Sequence, residues 1–165
     1  MELIKLMGAI TSNRGFVNGT ISYNIMASRG NTFIVGNVAR EITKNVLKNY
    51  GGIWSNNMTY GISNNKVSRI YQNNNVYIFG NIGDGQIANN TNSRGTILNN
   101  VTLSSSGIQG NDIVGNIAGN ITSSISSNGS TVDLICGNFV SGSISNNSCL
   151  GEISSNYAKE IVNNI

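Results

Sequence analysis

The stretch "DIVGNIAGNITSSISSNG" (residues 112–129) carries one charge, no side chain suited to hard chemistry, and a nearly regular beat of Ile, Gly and Asn. Either it is a low-complexity tract or it is one rung of a repeat, and the fold turns on which. Four segments superimpose: "TFIVGNVAREITKN" (32–45), "VYIFGNIGDGQIANN" (76–90), "NDIVGNIAGNITSS" (111–124) and "DLICGNFVSGSISNN" (133–147). Each has two or three apolar residues, then Gly-Asn, another apolar residue, a short polar or Gly step, and finally Ile with a polar tail. A weaker copy occupies 4–24, and the second half of the unit recurs alone as "GTILNN" (95–100) and "GEISSN" (151–156). The stretch is a rung.

The aligned Gly falls at 36, 80, 115 and 137, with gaps of 44, 35 and 22. Self-similarity in the 20–50-residue range marks a solenoid or array. Helical repeats are disfavoured, because Gly, Asn, Ser and Thr dominate and β-branched residues fill the apolar positions. Ile and Val suit a pleated surface and stack from coil to coil, whereas Gly and Asn tolerate the positive φ of tight corners. Absence of Pro leaves every backbone N–H free for the ladders above and below. The reading is therefore all-β: a parallel β-helix (β-solenoid) with coils of about 22 residues in a single domain spanning 1–165. Seven such coils at the usual strand spacing give a column about 35 Å long.

In their repeat style these segments resemble parallel β-helix proteins such as viral tailspikes, adhesins and polysaccharide lyases. The resemblance implies a hydrogen-bonded ladder of Asn side chains at a corner, and the residues following the aligned Gly are Asn37, Asn81, Asn116 and Asn138. Two places depart from the pattern. "EITKNVLKNYGG" (41–52) has apolar residues at helical spacing over 41–50 before a Gly pair, and Tyr157, Ile161 and Ile165 keep a four-residue beat over 157–165. Each reads equally as a short capping helix or as a further coil. A β-sandwich or jelly roll is the alternative architecture, with hairpin signals at "VNGT" (17–20) and "SNGS" (127–130).

Composition narrows the function. Charged residues make up 10% of the chain, against about 25% in ordinary domains. The 30 Asn and 20 Gly invite a disordered reading, but Ile and Val are spread evenly along the chain. The net charge of +3 forms no basic run, and residues 95–158 contain no Lys or Arg, which argues against nucleic acid. No apolar run reaches the roughly 20 residues of a membrane span, and "MELIKLMGAI" lacks the apolar core of a cleaved signal peptide. Cys136 and Cys149, without any His, make no zinc set; they read as small buried hydrophobes or one disulfide.

Without His, the common nucleophilic triads and general bases drop out. "GNIGDG" (80–85) lacks the Lys-Ser/Thr of a phosphate loop, and no cofactor or metal is expected. The leading expectation is a non-enzymatic, self-assembling structural subunit of a fibre, filament or virion surface. Such a subunit would form a homo-oligomer or polymer, located in an extracellular appendage or on a virion. An adhesin-like module recognising a glycan or cell-surface partner through Trp54, Tyr60, Tyr71 or Tyr77 is the alternative. A glycan-cleaving β-helix enzyme is the second alternative, because Asp112 and Asp133 stand 21 apart, nearly one coil.

Overall fold

A computed structural model describes residues 5–6, 9–11, 19–26, 32–47, 51–113, 115–130 and 132–165. The chain winds into an all-β parallel solenoid of about seven turns. Its strands are short, and among the described residues each pairs in parallel with its counterpart one coil away and none with a hairpin partner. Three faces result. One is a nine-stranded sheet running from Ala9–Thr11 to Glu160–Val162; the second is a ten-stranded sheet of longer strands such as Asn57–Ser63 and Asn74–Phe79. The third, narrow face holds two-residue strands such as Val101–Thr102 and Ile121–Thr122, with Lys66 and Tyr157 joining as single bridges.

Two unbroken isoleucine columns form the dry interior. On the nine-stranded face Ile10, Ile34, Ile53, Ile70, Ile87, Ile108, Ile125, Ile144 and Ile161 are stacked in register. On the long-stranded face the column is Ile21, Ile42, Ile62, Ile78, Ile97, Ile117, Ile135 and Ile153. Interior members of both are buried. Ile suits this place because its branched Cβ is stiff on a pleated surface and its side chain nests against a copy of itself one strand spacing away.

From Ile21 and Ile34 onward, each column Ile is followed, three residues on, by an Asn whose amide turns inward. Between them the chain bends through one residue with positive φ, at sixteen positions from Tyr23 to Asn163. Five of those are Gly (36, 80, 110, 119 and 137), and the other eleven are not, including Lys44 and Gln72. A non-Gly residue held there costs about 1–2 kcal/mol, so something must hold these corners. The Asn ladders described below do so.

The coils run 16 to 21 residues between stacked Asn, shorter than the 22 expected. The sequence alignment had overlaid two different corners: Gly36 belongs to one, Gly80 and Gly137 to the other, and Gly115 to neither. Gly115 lies on the long-stranded face, where a Cβ would run into the carbonyl oxygen of Gly95 one coil away. It is glycine because of that close approach, not because of its φ. No helix occurs among the described residues: Glu41–Thr43 close the strand Val38–Thr43, Val46–Leu47 form the next, and Glu160–Val162 form the last. Residues 48–50 of the first candidate helix lie outside the described residues. Ile42 and Ile161 are needed in their columns, which commits both segments to coil geometry. Nor is "SNGS" a hairpin, since Gly129–Ser130 pairs in parallel with Asp112–Ile113. The Asn-Gly signal of "VNGT" rests on residues 17–18, outside the described residues.

Candidate functional sites on the solenoid surface

The most elaborate polar construction is internal. One ladder comprises Asn37, Asn56, Asn73, Asn90, Asn111, Asn128, Asn147 and Asn164. The other comprises Asn24, Asn45, Asn65, Asn81, Asn100, Asn120, Asn138 and Asn156. Asn100 shows the wiring. Its Oδ1 accepts the backbone N–H of Asn81 at 2.9 Å and the Nδ2 of Asn81 at 3.0 Å. Its own Nδ2 donates to Ile78 O, one coil back, at 3.0 Å, to Leu98 O at 2.9 Å, and to Asn120 Oδ1, one coil on, at 3.1 Å. Both ends of the amide are thus satisfied inside the column, as burial requires. Asn37, Asn81 and Asn138 stand in the ladders, but in two different ones. Asn116 does not: it sits in the strand Asn116–Ala118, because the glycine before it has no left-handed bend to turn it inward.

The four aromatic residues picked from the sequence fall into two separate pairs. Trp54 and Tyr71 stack on the nine-stranded face with centroids 5.2 Å apart, Phe33 meeting the Trp54 ring edge-on at 4.3 Å. Tyr60 and Tyr77 lie on the long-stranded face, 5.2 Å apart and tilted by 57°. This second pair borders a depression, a groove of about 400 Å³ lined also by Glu41, Ser63, Asn64, Phe79 and Leu98. The Glu41 carboxylate accepts the Ser63 hydroxyl at 2.6 Å, and Ser63 is in turn bonded to Thr43 at 2.8 Å. The Arg40 guanidinium lies 5.8 Å from the Tyr60 ring centre. Phe79, Glu41 and Ser63 carried no distinctive sequence signal; they meet because the column register places residues from neighbouring coils side by side.

Asp112 and Asp133 are both exposed but do not face each other. The coil neighbour of Asp112 is Gly129, while the amide of Asp133 donates to Gly115 O, three residues past Asp112. The 21-residue separation fails to align them because this coil is shorter than the distance between them. Cys136 and Cys149 are free and half-buried. Among the described residues no group of three or more Cys, Asp and Glu side chains is arranged to hold a metal, and no helix is long and apolar enough to cross a membrane. The fold defines the class as a parallel β-solenoid with paired asparagine ladders. Comparisons with protein-family models, curated proteins and solved structures found no match.

Proposed function

We propose that this chain is a structural building block: a non-enzymatic, self-assembling β-solenoid subunit of a fibre, filament or virion surface, working outside the cell or on a particle. The observation that carries the reading is where the chain invests its polar chemistry. Sixteen of its 30 Asn residues are committed to internal ladders that stiffen the column, and the exterior gathers few ionisable groups. A parallel solenoid also ends in unpaired strand edges, which invite either capping or docking. Negative-stain imaging together with light scattering on the concentrated protein tests it. Filaments or defined oligomers are expected, and a strict monomer at every concentration would end the proposal.

The groove beside Tyr60 and Tyr77 supports a second reading, an adhesin-like module. Two aromatic rings flanked by an anchored carboxylate and an Asn amide offer the stacking face and the acceptors that a sugar ring uses. Glycan-array binding abolished by Tyr77→Ala but retained in Trp54→Ala is the expected pattern, since Trp54 lies on another face.

A further inference from the structure

The narrow face carries an apolar stripe that the column itself does not use. Ile82, Val101, Ile121, Phe139 and Tyr157 are consecutive in register, one per coil, on the outward side. Ile82, Ile121, Phe139 and Tyr157 are 54, 48, 51 and 68% exposed, and the Phe139 and Tyr157 rings stack at 4.9 Å. No charge interrupts the five positions; Lys66 occupies the coil before Ile82. The stripe leaves roughly 500 Å² of contiguous apolar surface, near the upper end of what monomers present. The long-stranded face has exposed rings too, but Glu41 and Arg40 stand among them.

We propose that this stripe is a twofold interface with a second copy of the chain, the two columns running antiparallel. The proposal deepens the assembly reading above and rests on it. Doubled across a twofold, the stripe buries roughly 1,000 Å², the threshold for a specific contact. A row of side chains repeating at the coil spacing is matched best by a surface with the same repeat, which a second copy supplies. Ile121 is the middle rung, with two apolar rungs on either side.

Charge selects the axis. A twofold along the strand direction through Ile121 sets the Ile82 coil against the partner's Tyr157 coil while preserving position along the strand. Asp84, two residues after Ile82, then faces the coil position held by Lys159, two residues after Tyr157, and the pairing occurs twice by symmetry. Both residues are exposed. The other face-to-face twofold, along the column, sets Lys66 against its own copy and leaves Asp84 without an opposite charge. The antiparallel arrangement also carries Lys66 one coil past the partner's Tyr157, clear of the apolar contact.

The test uses sedimentation equilibrium on the whole chain, wild type against Ile121→Asp, with a circular-dichroism melt confirming that the exposed substitution leaves the fold intact. A wild-type dimer weakened about 100-fold or more by Ile121→Asp is expected, because the change enters the interface twice. A second measurement fixes the direction. In a Cys136→Ser, Cys149→Ser background, Ile82→Cys chains mixed with Tyr157→Cys chains should cross-link to each other under mild oxidation and not to their own kind. Self-cross-linking of Ile82→Cys overturns the antiparallel geometry. A wild-type oligomer that survives Ile121→Asp overturns this interface while leaving the assembly reading standing, and a dimer lost with Ile121→Asp supports both. A monomeric wild type whose stripe binds lipid vesicles overturns both.

Discussion

Asn100 sits in the middle of its ladder, so Asn100→Ala measures what one rung contributes. The substitution removes five hydrogen bonds. It also leaves the Asn81 backbone N–H, whose acceptor is Asn100 Oδ1, unpaired in a corner with Asn81 itself only 3% exposed. An orphaned buried donor costs about 1–3 kcal/mol, and each further bond lost adds about 0.5–1.5. Taken at the low end of those ranges and with the small void left by the amide, the loss is about 4 kcal/mol, which corresponds to a melting point at least roughly 10 °C lower for a chain of this size. Two neighbours supply controls of the same residue type. Asn99 is exposed at φ 53°, so Asn99→Gly relieves backbone strain and should hold or raise the melting point. Asn116 is half-buried in a strand, and Asn116→Ala should cost less than about 1 kcal/mol. Melts followed by circular dichroism read the difference, and hydrogen exchange should show protection lost first in the coils holding Asn81 and Asn120. An Asn100→Ala melt no lower than that of Asn116→Ala would refute the argument that the ladder, rather than the isoleucine columns alone, holds the corners.

Four other perturbations follow from single positions. Asn75 is 1% exposed, with neither end of its amide paired, beside Met58 in the adjoining coil. Asn75→Leu removes a buried unsatisfied group at similar shape and should raise stability by about 1 kcal/mol, a gain of a few degrees in a melt. Gly115→Ala drives a methyl against Gly95 O and should destabilise by about 1–3 kcal/mol. Gly129→Ala meets nothing within 4 Å and should be neutral or stabilising by about 0.4–1 kcal/mol. The Lys44 ammonium donates to Tyr23 Oη at 2.8 Å, and that hydrogen bond holds its pKa above the usual lysine range. A raised folded-state pKa means that the contribution is whole below about pH 10 and fades as pH rises through the folded value. Any deficit of Lys44→Met in paired melts should therefore be present near neutrality and shrink at alkaline pH.

The class of fold was legible because Ile, Val, Gly and Asn each have one good place in a stacked coil, and their recurrence forces the solenoid. The register was not, because the alignment followed glycine. Glycine occupies only five of the sixteen described corners, while Lys44, Gln72 and Tyr23 hold the same left-handed bend elsewhere. The invariant signal was Ile-x-x-Asn, present at every described corner from Ile21–Asn24 to Ile161–Asn164. A column Ile and a ladder Asn are each fixed by burial, whereas the bending residue between them faces solvent and can be almost anything. Reading the exposed glycine instead of the buried pair merged two corners into one and admitted Asn116. The aromatic residues were visible as residue types, but whether Tyr77 meets Tyr60 or Trp54 depends on coil register, which was the part misread. The apolar stripe escaped for the same reason, since its members are 18 to 20 residues apart and line up only when the coil lengths are known.

Coil length varies while the corner does not, and that asymmetry has a physical cause that can be tested. From Val101 to the column residue Ile108 the chain takes seven residues; from Ile121 to Ile125 it takes four. From Ile to ladder Asn it always takes three. Isoleucine columns alone tolerate slippage poorly but not absolutely, because another apolar residue can fill the gap. A buried amide is stricter: shifted by one residue, it leaves donors and acceptors unpaired at about 1–3 kcal/mol each and turns its neighbours to the wrong face. The ladders therefore set the register, and the connecting turns absorb the differences in length. One Gly inserted beside the exposed Ser105, in the turn before Ile108, should shift the melting point by no more than a few degrees. The same Gly inserted between Leu98 and Asn99 lengthens the fixed three-residue step and should lower it by well over 10 °C, with hydrogen exchange showing the coils on either side open together. Equal tolerance at the two sites would mean that the register is set by something other than the asparagines.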